Sequence, residues 1–369
     1  MVNFGSDKPM HPKKSMAMYP RPDNVYTHKS SLNFDMMRAK IFEEREGTNT
    51  DFYVWVVHIF IGFGTALIAF LLTVIEEASA EYRNATVQTL LDQDSASSFK
   101  AYTFYVGFAM VFVLIASLLT IYVGPGANGS GVAEIMGMLN GINYPGVIGF
   151  RTLFVKVFGT FFAVAGGLCI GKEGPLAHIG ANVGAISAHI PITGFRCLRN
   201  DVIKRQLVAA GASAGVSAAF GSPIGGSLFS YESSKPNTFW TFSMLWRVFF
   251  GSSICTFMLS IFTALWNGSP FSLTDAATLK FGQLESEENT LLDIPAAVFI
   301  GGVCGCLGAL FIHVNVNLAM LRKKYINTNA KRLAEAAFFA FMTSTCFFMA
   351  VFLRRDNCKP TLDTEDKES

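Results

Sequence analysis

The sequence predicts an all-α, polytopic membrane protein. Three observations carry that reading. Of 369 residues, 51% are hydrophobic, with 35 Phe and a mean hydropathy of +0.38. Only 15% are charged, against about 25% in a soluble domain. Several apolar runs reach the roughly 20 residues that a helix needs to cross a bilayer. A net charge of +2 is too small to suggest a nucleic-acid partner. The seven cysteines (169, 197, 255, 304, 306, 346 and 358) are scattered and form no C-x-x-C pair. They read as small apolar packing residues, so neither a disulfide framework nor a zinc site is expected. No other metal, no cofactor and no enzyme chemistry is expected either.

Residues 1–50 are polar and lack an apolar h-region, so they read as a cytosolic tail with no cleavable leader. A transmembrane region is expected over 51–355 and a polar tail over 356–369. Within that region, a first span runs from Tyr53 to Ile75. A polar loop is expected next, then a second span from Ala101 to Val123. Between Gly124 and Gly226 the apolar segments are broken by VGPGANGSG, LNGINYPG, GKEGP, AAGASAG and FGSPIGG. Long spans resume at Phe239–Trp266, Ile294–Leu321 and Leu333–Leu353.

Broken helices at membrane depth need a reason. Lipid offers no partners for free N–H and C=O groups, so irregular backbone survives only when buried in protein or lining a wet cavity. Its usual use is an ion or substrate site built from half-helix N-termini. The plainer reading is glycine-mediated packing of tight helices. Repeated breaks with helix-start signals favour the site. In the first, Gly129-Ser130-Gly131 precedes VAEIMGML, which reads as half a helix. Ser130 suits an N-cap or a ligand contact, and Glu134 falls in the first turn, where the dipole favours a carboxylate.

The second break contains Gly171-Lys172-Glu173-Gly174-Pro175. Gly166, Gly171 and Lys172 have P-loop spacing, but a P-loop needs Ser or Thr after its lysine and a preceding strand. Here Glu173 follows, and a long apolar span precedes. The better reading is another half-helix. Pro175 suits its first turn, and Gly171 and Gly174 are expected to turn the backbone sharply and expose its amides. Those amides and the dipole form an anion site. An intramembrane carboxylate such as Glu173 is functional by default. Ionised, it fills the site as a tethered anion; protonated or swung away, it admits a free one.

At these two motifs the sequence resembles the CLC family of chloride channels and chloride/proton exchangers. Gly129 to Glu134 resembles the family's G-S-G-I-P-E, and Gly171 to Pro175 is its G-[KR]-E-G-P intact. The resemblance continues through VAAGASAGVSAAFGSPIGGSLFSYE and covers about residues 30 to 360. SLNFDMMRAKIFEEREG and FGQLESEE look like the endosomal and lysosomal branch. The resemblance implies a broken-helix, inverted-repeat architecture, here the first repeat and about two helices of the second. It implies chloride as bound substrate, with Ser130 coordinating it and Glu173 as the gate. Gly129, Gly131, Gly171, Lys172 and Gly174 would line the site.

Three departures qualify this. Ala133 replaces a proline that would stiffen the helix start. Ser233 stands where exchangers carry their internal proton glutamate, so Glu232 and Ser233 are the proton-path candidates and coupling is expected to be weak or absent. The sequence also holds no G-x-F-x-P signature, no late anion-contacting tyrosine and no CBS domains. The expected partners are therefore lipid, chloride, and a second subunit in a homodimer or in a heterodimer with a full-length CLC chain. Two functions follow: a channel or transporter moving chloride, or a non-conducting subunit that modulates a full-length relative. An endosomal, lysosomal or vacuolar membrane is expected rather than the plasma membrane. Basic residues near the start and in RKKYINTNAKR (322–332) place both segments in the cytosol. Asn84-Ala85-Thr86 and Asn267-Gly268-Ser269 are glycosylation sequons assigned to loops on the opposite side. Asn128-Gly129-Ser130 fits the sequon too but is expected to be buried.

Overall fold

The computed structural model describes residues 50–93, 97–142, 144–190, 201–234, 240, 242–268, 291 and 293–354. The expected cytosolic tail, FGQLESEE, Cys197, Cys358, Ser269 and the polar C-terminal tail lie outside the described residues.

The described residues form ten α-helices: α1 (Thr50–Gln93), α2 (Ser97–Leu118), α3 (Val132–Leu139), α4 (Phe150–Ala165), α5 (Glu173–Ser187), α6 (Asp201–Phe220), α7 (Pro223–Ser234), α8 (Phe242–Trp266), α9 (Asp293–Tyr325) and α10 (Asn329–Arg354). Five of the described helices (α1, α2, α8, α9 and α10) are long and apolar enough to cross a membrane. The expected half-helix after Gly129-Ser130-Gly131 is α3, and the one at Gly-Lys-Glu-Gly-Pro is α5.

Two expectations are corrected. The polar loop after Ile75 is helix: α1 continues to Gln93. Its sequence there, EEASAEYRNATVQTLLDQ, has no Gly or Pro and is rich in helix formers, so nothing stops the helix. Asn84 therefore sits in a helix rather than a loop. The basic loop at 322–332 is likewise short, since only residues 326–328 separate α9 from α10. Its cations ride on the helix ends, where Arg322, Lys323 and Lys324 suit the dipole of the last turn of α9. Lys331 donates to the Tyr325 carbonyl at 3.0 Å.

The core lies between α5, α6, α3, α1 and α8, where Ile135, Leu139, Leu176, Ile179, Leu207 and Val248 are buried. α5 and α6 pack backbone against backbone. A Cβ on Gly180 would meet the Gly211 carbonyl, and one on Gly211 the Gly180 carbonyl. Buried hydroxyls are satisfied across helices: Ser213 bonds Ser252 at 2.6 Å and Ser230 donates to Ala209 at 2.8 Å. α8 lies on α1 through aromatic pairs such as Trp55–Phe250 (ring centroids 5.1 Å). α10 lies on α2, with the Tyr102 hydroxyl 3.1 Å from that of Thr345. α9 differs, because every one of its described side chains is exposed within the chain.

The cysteines divide. Cys255 is buried in the core, whereas Cys169, Cys304, Cys306 and Cys346 are exposed, so among the described cysteines only Cys255 packs as expected.

Candidate functional site

Two glycine-rich segments build the site. Beyond α2 a π-turn and a 3₁₀ turn end at Ala127, and Asn128 is extended and exposed, not buried as expected, because it lies in the connection between helices. Gly129 and Gly131 then lie at φ +69° and +85°, a region that a Cβ makes costly. The chain turns there and starts α3 with Gly131, not Ser130, as N-cap. The cap falls one residue later than expected because it is left-handed and a glycine suits it. The Ser130 hydroxyl still accepts from the Val132 N–H, at a long 3.4 Å. Glu134 is in the first turn, as expected.

The second segment starts α5 at Glu173, with Lys172 at the N-cap and no side-chain cap. Gly171 and Gly174 do not have the left-handed φ of Gly129 and Gly131. Gly174 is the one with no room for a side chain. A Cβ on Gly174 would sit 2.8 Å from Ser130 Cβ, and one on Gly171 would collide with Glu173 Oε2. The two motifs therefore touch, Ser130 against Gly174. The Glu173 side chain folds back over Gly171, in front of its own helix start. Two helix N-termini, each with orphan N–H groups and a positive dipole end, converge on one hydroxyl and one carboxylate. Helix N-termini of this kind attract negative charge.

Lys172 does not pair with Glu173. Its ammonium lies 3.0 Å from Glu76 Oε2 on α1, both side chains about 15% exposed (15% and 14%). Seven residues on, Arg83 donates to the Ala165 carbonyl at 3.0 Å, at the end of α4. The unexpected extension of α1 thus grips both ends of the segment leading into α5.

Three further residues escaped the sequence reading. Lys156 is buried in the middle of α4 (2% exposed). Its ammonium donates to the carbonyls of Ala127, at 3.1 Å, and Gly129, pinning the loop that carries Ser130. The available signal was a lone cation inside LFVKVFGTFF. His178 on α5 is fully buried. Its Nε2 faces the Val147 carbonyl at 3.0 Å, and its ring fills the space beside Gly131. Asn182, one turn on, accepts from Gly149 N–H at 2.8 Å. The third, Glu76, sat in a segment read as loop.

Glu232 and Ser233 lie on α7. Glu232 is exposed and Ser233 buried, so the two face different surroundings, as their offset of about 100° requires. The Ser233 carbonyl accepts from Asn140 Nδ2, at 3.1 Å, joining α7 to the end of α3.

Ser130, Gly129, Gly171 and Lys156 line a cavity of about 820 Å³. Arg322 and Lys323 of α9 and Arg332 and Glu335 of α10 also line it.

A family model described as voltage gated chloride channel matches residues 112–362, which include both glycine motifs. The chain belongs to the CLC family of voltage gated chloride channels. It is 34% identical over 348 residues to the mouse H(+)/Cl(-) exchange transporter 7, covering 89% of this chain and 43% of that protein. It is 30% identical over 345 residues to chloride channel protein C of Dictyostelium discoideum, covering 89% and 44%. The chain thus spans less than half the length of these curated CLC relatives. Among solved structures, a slow cyanobacterial Cl−/H+ antiporter overlays with a TM-score of 0.63 at 19% identity, covering 79% of this chain and 63% of that one. A eukaryotic CLC transporter overlays with a TM-score of 0.62 at 23% identity, covering 79% and 48%. Both share the CLC fold.

Proposed function

We propose that this chain moves chloride across a membrane, holding the ion between the starts of α3 and α5 and gating it with the Glu173 carboxylate. The observation that carries the reading is the contact of Ser130 with Gly174, which brings two separate helix N-termini onto one point. Ser130 offers the hydroxyl, and the N–H groups beyond Gly131 and Lys172 offer the dipoles. Coupling to protons is weak, because Ser233 has no titratable group and Glu232 faces elsewhere. The proposed location is an endosomal, lysosomal or vacuolar membrane, from the resemblance of SLNFDMMRAKIFEEREG and FGQLESEE to that branch of the family.

Chloride flux and internal pH in proteoliposomes test this together. Glu173→Ala and Glu173→Gln should keep chloride flux while removing most of its pH dependence. Ser233→Glu should increase proton movement under a chloride gradient. An unchanged pH profile in Glu173→Ala would refute the gate. Uphill proton pumping by the unaltered chain at a constant chloride-to-proton ratio would refute weak coupling.

One observation favours a second reading, a non-conducting subunit that modulates a full-length CLC partner. All 33 residues of α9 lack cover within this chain. Absence of flux from the purified chain, together with a changed flux through a full-length relative when the two are co-reconstituted, would select it. Flux from the chain alone would reject it.

A further inference from the structure

We infer that the Asn128 carboxamide is a further contact for the anion at Ser130, and that its N–H groups make the site prefer strongly hydrated over weakly hydrated halides. The inference rests on the chloride-transport reading and adds to it the residue that ranks the ions.

Asn128 is extended, at φ −66° and ψ 147°, and exposed two residues before Ser130. Both line the 820 Å³ cavity, and among the described residues that line it Asn128 alone carries a carboxamide. The backbone around it is held on both sides. Its own N–H donates to the Pro125 carbonyl at 3.3 Å, and the carbonyls of Ala127 and Gly129 accept from the buried Lys156 ammonium. The side chain therefore rides on a fixed stretch of chain, yet among the described residues its carboxamide has no hydrogen-bond partner. Neighbouring neutral donors are already spent. Ser117 gives its proton to the Val113 carbonyl and Thr120 to the Ala116 carbonyl, each at 2.8 Å. The Asn128 amide still has N–H groups to give, and it shares the cavity with the Ser130 hydroxyl. An anion that enters sheds part of its water, and a polar group that leaves water without a replacement bond is penalised. N–H bonds to an anion are the stronger kind. Chloride, the smaller and more strongly hydrated ion, recovers more from such a donor than iodide does. Val113, Ile121, Val155 and Ile170 make other parts of the lining apolar, which suits the weakly hydrated ion. Asn128 tips that balance toward chloride.

The test is chloride and iodide binding to the purified full chain in detergent, by isothermal titration calorimetry. The unaltered chain should bind chloride more tightly than iodide. Asn128→Leu keeps the size and removes the donors. It should weaken chloride about tenfold, the worth of one hydrogen bond to a charged group, and iodide by less than about threefold. Asn128→Asp keeps the shape and puts a negative charge in place of the donors, so it should weaken both halides by at least about tenfold. Since the side chain is exposed and bonds nothing, the melting temperature in halide-free buffer should stay unchanged in both variants. A lowered melting temperature with an unmoved chloride-to-iodide ratio means a structural side chain and overturns the inference. Native-like halide binding by Asn128→Asp overturns it too, as does an unaltered chain that prefers iodide or shows no saturable halide binding. Chloride flux into proteoliposomes separates the two readings. Flux with a binding ratio that ignores Asn128 overturns the Asn128 contact alone. A ratio that follows Asn128 in a chain without flux keeps the contact and overturns transport.

Discussion

Gly174 and Ser130 show how little room the site leaves at the scale of one residue. A methyl group on Gly174 would lie 2.8 Å from Ser130 Cβ and 3.7 Å from its hydroxyl. Gly174→Ala must therefore push Ser130 off the position where the two helix starts meet. Overpacking of this kind costs about 1–3 kcal/mol. The expected outcome is a lower melting temperature in detergent and at least tenfold weaker chloride-dependent stabilisation. Retained stabilisation at the native chloride midpoint would mean that Ser130 does not contact the ion. The lysine of the same motif has a different task. Lys172 ties the loop to Glu76 of α1 with both side chains mostly buried. Glu76→Gln strands a cation that has lost much of its water, at about 2 kcal/mol. The exchange Glu76→Lys with Lys172→Glu should recover most of that loss in the melting temperature. If the double exchange is no better than the single change, the pair is not what holds the loop.

Single elements divide into those the sequence announces and those it conceals. The starts of α3 and α5 are legible because Gly129-Ser130-Gly131 and Gly171-Lys172-Glu173-Gly174-Pro175 are local signals that interrupt apolar runs. The extension of α1 is concealed. Glu76, Glu77, Glu81 and Arg83 make the segment look like solvated loop, although its composition is helical. The purpose of Glu76 and Arg83 appears only when residues 96 and 82 positions away come to face them. Lys156 and His178 are concealed for the same reason: one polar residue in an apolar helix has no spacing to read, and its partners are distant carbonyls. The corrected end of α1 changes an expectation about modification. Asn84 is held in a regular helix, whereas Asn267 follows α8 in a turn. Of these two, a glycosidase-sensitive shift in mobility should therefore depend on Asn267 and not on Asn84. It should vanish in Asn267→Gln and persist in Asn84→Gln. A shift lost only in Asn84→Gln would return that stretch to a loop.

For the whole molecule, the mutual seating of Gly180 and Gly211 has a bearing on time. The carbonyl of each helix lies where the other would carry a β-carbon, so α5 cannot slide or rotate by part of a turn without collision. The helix that bears Glu173 is a rigid mount, and close-packed interiors switch between discrete arrangements rather than deform smoothly. If Glu173 gates as proposed, opening at its N-terminus falls to the torsions of one side chain. Those turn within picoseconds to nanoseconds, whereas collective helix motions take microseconds to milliseconds. After a pH jump, chloride flux should relax at a rate that follows proton and buffer concentration and ignores bilayer thickness. A rate set by lipid thickness and indifferent to buffer would mean that the helix itself moves. On the first outcome the molecule keeps no clock of its own: its tempo is the dwell time of a proton on a carboxylate.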